Sequence, residues 1–229
     1  MLQECLNYIE RNGPDIAVQI LDHMKISLAA LLIAVLIGVA GGYAASVSRR
    51  GEKWIMGLFQ ILRVIPSLAI LVLLIPLMGV GMKPAVTALA ILAIPPILTN
   101  TCVGFMEVPT FMVESAKGMG MTDREMLVHV KFPLALPMIM AGIRSALVEV
   151  IASATLAAKI GAGGLGEIIF TGLGLNRADL LLIGGFLVGA LSLISLGIFS
   201  LIRRMLMPYK YRTSLQQIKI YVNNEDRLN

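Results

Sequence analysis

The chain has 229 residues, of which 57% are hydrophobic and 14% charged, with a formal net charge of +5 and a mean hydropathy of +0.84. A soluble domain is about 45–50% apolar and about 25% charged, so a water-soluble enzyme of this size is excluded. The basic balance alone would also suit a nucleic-acid binder, but no aromatic-rich basic patch of the kind that stacks bases occurs. Cys5 and Cys102 lie far apart, without disulfide-framework or metal-ligand spacing. These are the properties of an integral, all-α membrane protein.

A hydrocarbon core about 30 Å thick needs roughly 20 apolar residues at ~1.5 Å each. The amino-terminal stretch Glu4–Lys25 has apolar spacing that predicts a short interfacial helix. Ile26–Val47 is the first run of spanning length. Small residues at its end (Ala44, Ala45, Ser46) would also suit a cleaved signal peptide, but the run exceeds a usual signal core and Arg49, Arg50 and Lys53 follow it at once. Ile55–Met78, Pro84–Met106, Pro137–Ala158 and Leu180–Ile202 complete five expected spans. Pro66, Pro76, Pro95 and Pro96 fall within spans and are predicted to kink or break them. Pro66 with Ser67 is a candidate gate, a plain structural kink being the alternative. Lys159–Asp179 is too short and glycine-rich to span, and reads as a loop with one short helix.

Basic residues set the expected orientation. With the amino terminus outside, the inner regions Ser48–Trp54, Glu107–Leu136 and the tail from Arg203 hold twelve Lys and Arg, and the outer regions hold five. That bias places the carboxyl terminus inside and accounts for the positive charge without nucleic acid. The expected organisation is an extracytoplasmic segment 1–25, a membrane domain 26–203 and a cytoplasmic tail 204–229.

One inner loop, 107–136, is about thirty residues long, and structureless loops of that length are uncommon unless functional. Met112, Ala116 and Met119 recur at helical spacing, and Met126, Leu127 and Val130 do so again. Gly118 and Gly120 break the pattern, while Thr122 with Glu125 three residues on has the form of a capping box. Two short amphipathic helices are predicted, stopped by Pro133 and Pro137. An apolar face here wants either the membrane surface or a partner protein.

Glu114-Ser115-Ala116, then Gly120, then Val130-Lys131-Phe132-Pro133 resembles the EAA loop of ABC-importer permeases. That loop runs Glu-Ala-Ala, three residues, Gly, nine residues, Ile-x-Leu-Pro. Ser115, Val130 and Phe132 are mild departures. Ile65-Pro66-Ser67-Leu68-Ala69, the stretch from Glu107 to Leu127, FPLALP and ATLAAKIGAGGLG are similar to the osmoprotectant type, serving glycine betaine, carnitine or choline. The chain thus resembles binding-protein-dependent inner membrane components of type I architecture. The resemblance implies that Glu114, Ser115, Ala116, Gly118, Gly120, Asp123 and Pro133 belong to a loop that couples to a cytoplasmic ABC ATPase. It also implies a second permease subunit, a separate extracytoplasmic solute-binding protein and a location in the bacterial cytoplasmic membrane. Importing another small solute, such as an amino acid, remains open.

Charges inside spans carry functional weight because burial in lipid is costly. Arg63, Arg144 and Glu149 are candidate pathway residues, the alternatives being a buried pair of Glu149 with either arginine, or arginines snorkelling to the interface. Gly163 and Gly164 are candidate gate residues within Gly161-Ala162-Gly163-Gly164-Leu165-Gly166. That string satisfies GxGxxG, but a membrane span precedes it where a dinucleotide site needs a strand, so close backbone packing is the expected role. Gly38–Gly42 and Gly185–Gly189 resemble small-residue packing faces. No metal cluster is expected from His23 and His129, placed on opposite sides of the membrane. No GxxxxGK[ST] occurs, so no cofactor is expected on this chain, and ATP and magnesium would sit on the partner ATPase. A secondary transporter would show internal repeats, and an intramembrane enzyme would need paired catalytic groups at one depth. Neither is evident.

Overall fold

A computed structural model describes residues 2–47, 57 and 65–207, and all the regular structure among them is helical. Arg49, Arg50, Lys53 and Arg63, residues 55, 56 and 58–64 of the expected second span, and the tail from 208 lie outside the described residues. Helix α1 covers Leu2–Ser46, bent at Asn12 (φ −115°, ψ 18°) just before Pro14. Pro14 has no N–H to give, and Asn12 Nδ2 donates to the Tyr8 carbonyl at the bend, 3.0 Å away. The predicted amino-terminal helix is therefore no separate interfacial element but runs directly into the first span.

Helix α2 covers Ser67–Met78, with Pro66 at its N-cap. Pro66, non-helical at φ −58° and ψ 135°, stands immediately before the helix, so the break expected at this proline is present. Glycines with φ of 78° and 105° at Gly79 and Gly81 make the turn into α3, Met82–Met106. Contrary to expectation, Pro95 and Pro96 leave α3 in one piece. Neighbouring helices can hold such a turn in shape, and Asn100 Nδ2 donates to the Pro96 carbonyl at 2.8 Å.

The expected loop helices are α4, Thr110–Gly118, and α5, Asp123–Met126. The second is not stopped by its prolines. It passes through a π-helical turn, Leu127–Lys131, into α6, Phe132–Ala157, with Pro133 in the first turn of α6 and Pro137 inside it. The wider turn ahead of Pro133 absorbs what a regular helix could not. A 3₁₀ turn, Ala158–Ile160, then leads to α7, Gly166–Gly174, the short helix expected between the last two spans. Helix α8, Ala178–Leu206, carries Arg203 and Arg204 in its last turn. Among the described residues four helical segments are long and apolar enough to cross a membrane: α1, α3, the segment Asp123–Ile160 and α8.

Helix α3 lies between α1 and α6 and supplies the heart of the core, with Leu89, Ile97 and Leu98 almost wholly buried. Small residues bring these helices together. A Cβ on Gly42 would stand 2.6 Å from the Leu98 carbonyl, and one on Gly142 would stand 2.8 Å from that of Pro96. The Gly38–Gly42 packing face is thus real. Gly185 and Gly189 differ, since nothing lies within 4 Å of either Cβ position, and on α8 the close approach falls instead at Gly184, against Ile169. A second cluster joins Ile16 of α1 to Leu165, Ile168, Leu180 and Ile183, so the amino-terminal part of α1 packs on α7 and α8.

Candidate functional site

The loop 107–136 leaves α3 at Glu107 and returns into α6. Pro109, extended at φ −60° and ψ 131°, sets the start of α4. The turn at its end is closed by Met119 N–H to Ser115 O (3.1 Å), Gly120 N–H to Lys117 O (2.9 Å) and Met121 N–H to Ala116 O (3.1 Å). Gly120, at φ 81°, takes the left-handed conformation this closure requires. The capping box is formed. Thr122 N–H and Oγ1 donate to Glu125 Oε2 at 2.9 and 2.8 Å, and Glu125 N–H donates to Thr122 Oγ1 at 3.3 Å. The Thr122 backbone and hydroxyl donors hold the Glu125 carboxyl below its ordinary value.

The two helices bury one residue each, Ala116 and Met126, half-bury Met112 and Val113, and leave the rest exposed. Glu114, Ser115, Lys117, Gly118, Gly120 and Asp123 are exposed, Pro133 is half-buried, and Phe111 and Met119 display apolar surface at 52% and 74% exposure. Met119 lies at the C-cap, just past the helix, and is exposed while Ala116 is buried, so the two do not share one face. The result is a pair of short helices offering mixed charged and apolar groups, held to the bundle at both ends. Sequence spacing did not reveal how the return is fastened. The Tyr43 ring of α1 meets the Phe105 ring of α3 edge-on at 5.0 Å, and Phe105 meets Phe132 at 6.4 Å. Such pairs contribute about 0.5–1.5 kcal/mol beyond burial. Three aromatics far apart in sequence gave no local signal.

At the other end of the bundle Gly81 N–H donates to Ile160 O at 2.7 Å, tying the α2–α3 turn to the end of α6. Gly163 and Gly164, at φ 82° and 88°, press the following loop against α1. A Cβ on Gly164 would lie 3.2 Å from His23 Nδ1. His23 is completely buried and its Nε2 is 3.0 Å from Ile151 O of α6. It is the junction residue that sequence reasoning missed, its only signal being a polar residue three places before an apolar run. Farther toward the amino terminus of α1, Arg177 grips Asp179 and lies 5.8 Å from the Tyr8 ring. The other pathway candidates are not gathered here. Pro66 and Ser67 start α2, Arg144 is exposed midway along α6, and Glu149 is half-buried farther along the same helix.

The family of binding-protein-dependent transport system inner membrane components matches residues 21–207. The carnitine transport permease protein OpuCB of Listeria monocytogenes is 43% identical over 189 residues, covering 82% of this chain and 87% of that protein. The glycine betaine/carnitine/choline transport system permease protein OpuCB of Bacillus subtilis is 37% identical, covering 90% and 95%. Among solved structures, a chain of the methionine ABC transporter MetNI in inward-facing conformations superposes with a TM-score of 0.73 at 22% identity, covering 84% of this chain and 96% of that one. A chain of an amino acid ABC transporter with histidines gives 0.71 at 19%, covering 86% and 96%. Loop, bundle and sequence agree, and the chain belongs to the family of inner membrane components of binding-protein-dependent transport systems.

Proposed function

We propose that this chain forms half of the translocation pathway of an ATP-driven importer for a quaternary-ammonium compatible solute, and that α4 couples the pathway to a separate ATPase. The observation that carries the reading is the exposed α4–α5 unit bearing Glu114, Ser115 and Ala116 ahead of Gly120, held between α3 and α6. It is short, rigidly capped and fastened to α1 and α3 through Phe132, Phe105 and Tyr43. A push on such a unit is transmitted to the core helices rather than absorbed by a slack loop. The relatives named for carnitine, choline and glycine betaine are 37–43% identical to this chain. Those named for methionine and amino acids stand at 22% or less and support the fold alone.

In this reading the amino terminus faces outward, the loop 107–136 faces the cytoplasm, and the energy comes from ATP bound on the partner. A solute-binding protein delivers cargo at the end where His23, Gly163 and Gly164 meet, and a second permease subunit completes the path. The chain itself opens and closes that path and makes or breaks no covalent bond.

The test is uptake of radiolabelled glycine betaine, carnitine and choline by proteoliposomes holding the chain with its ATPase, binding protein and any second permease. Uptake of at least one solute that requires both ATP and the ATPase is expected. Stimulation by ATP of none of the three would remove the substrate assignment, and uptake without any ATPase would overturn the mechanism.

A further inference from the structure

Helix α6 carries a positive charge, Arg144, on the side turned away from α3. Within the expected span Pro137–Ala158, Arg144 stands seven residues from the cytoplasmic end and fourteen from the outer one, so about 10 and 21 Å along the axis. Gly142, Ala146 and Val150 form the buried side of α6, with Gly142 against Pro96 and Asn100 of α3. Two residues turn a helix by about 200°, which directs Arg144 to the opposite side. There it is exposed, beside exposed Ser145, Val148 and Ala152. Ser145 Oγ donates to the Ala141 carbonyl at 3.2 Å, so its hydroxyl is engaged on its own helix. Arg144 makes no salt bridge with any described residue. A guanidinium turned toward lipid at this depth is strongly disfavoured, and intramembrane charges typically face protein or a water-filled cavity.

We propose that Arg144 lines the translocation path and receives the carboxylate of a zwitterionic solute, so that this chain sorts its cargo by the presence of that carboxylate. The inference rests on the importer reading above and narrows its substrate class. A quaternary ammonium group has no N–H to donate and presents only diffuse positive charge, which Arg144 repels. A carboxylate accepts two parallel N–H bonds from a guanidinium, a short and charge-assisted contact. Glycine betaine and carnitine carry both groups. Choline carries the cation and a hydroxyl, and offers Arg144 no charge to pair with.

The experiment measures uptake of labelled glycine betaine, carnitine and choline by the complete importer carrying native chain, Arg144→Gln or Arg144→Lys, with one binding protein throughout. Assembly is checked by pull-down, and ATP hydrolysis stimulated by the binding protein is followed in parallel. Arg144→Gln is expected to lower uptake of the two carboxylate-bearing solutes about tenfold, with choline uptake unchanged or raised and stimulated hydrolysis retained. Arg144→Lys should restore part of the loss, because it keeps the charge without the planar fork. Full uptake of all three solutes by Arg144→Gln would contradict the proposal and mark a snorkelling arginine. Equal loss for all three, or loss of stimulated hydrolysis, would contradict it and mark an ion pair between subunits. A native importer that carries choline alone would also overturn it. ATP-dependent uptake of none of the three by the native importer would mean instead that the importer reading had failed first.

Discussion

Helices α3 and α8 are both long, apolar and free of breaks, yet the subunit treats them in opposite ways. The most apolar stretch of α3 is 67% buried inside the protein, and that of α8 only 17%. The less uniform helix is the inner one. Helix α3 contains Pro95, Pro96, Asn100 and Thr101, while α8 turns Phe186 and Leu193 outward at 76% and 71% exposure. In water that arrangement would be unfavourable. In a bilayer, hydrocarbon receives leucine and phenylalanine as readily as a core does, so apolar content does not choose which helix goes inside. Close backbone approach chooses instead, and α3 has it at Gly42 of α1 and Gly142 of α6.

Truncating Ile97, wholly buried on α3, to alanine should cost about 2 kcal/mol or more through the cavity it leaves. The exposed Phe186→Ala on α8 should move the isolated subunit by less than about 0.5 kcal/mol. Thermal melts of the two variants in the same detergent read that difference, and equal shifts would erase the distinction between inner and outer helix. Gly142→Ala places a methyl 2.8 Å from the Pro96 carbonyl and should cost about 1–3 kcal/mol by overpacking. Gly185→Ala has open space around it and should be neutral or slightly stabilising, since alanine suits a helix better than glycine.

A smaller effect belongs to the loop. Thr122→Ala removes the oxygen that accepts from Glu125 N–H and the hydroxyl that donates to the Glu125 carboxylate, and should cost about 1 kcal/mol. Because the folded protein holds the Glu125 carboxyl below its ordinary value, the cap contributes fully above the usual glutamate range. That contribution is lost as pH falls through the lowered value. Hydrogen exchange at the amides of α5 should rise on acidification in the native chain and change less in Thr122→Ala.

How much of this was legible in the sequence depends on whether the cause was local. The two short helices, the Thr122–Glu125 box and the break at Gly118–Gly120 follow from residues a few places apart, and each appears in the structure. The consequences of proline did not. Whether Pro95, Pro96, Pro133 or Pro137 ends a helix depends on what holds the chain around the missing N–H, and here the packing of α3 between α1 and α6 and a π-helical turn do so. The amino-terminal helix was misjudged for a related reason. Its apolar stripe suited a membrane surface, but Ile16 finds Leu165, Ile168 and Leu180 about 150 residues later in the chain. At the candidate site, residue types marked Glu114 and Ser115, whereas the aromatic row Tyr43, Phe105 and Phe132, the junction at His23 and the outward face of Arg144 exist only once the helices are packed.

In the proposed importer, exposed α4 is where ATP-driven motion enters the bundle. This claim is tested most directly by Glu114→Lys, a charge reversal at a solvent-facing position that leaves the core untouched. In the reconstituted importer this variant should fold and insert as the native chain does, lose most capture of the ATPase in a pull-down and lose ATP-dependent uptake of solute. Native capture together with native uptake would contradict the claim and leave α4 as a surface connector.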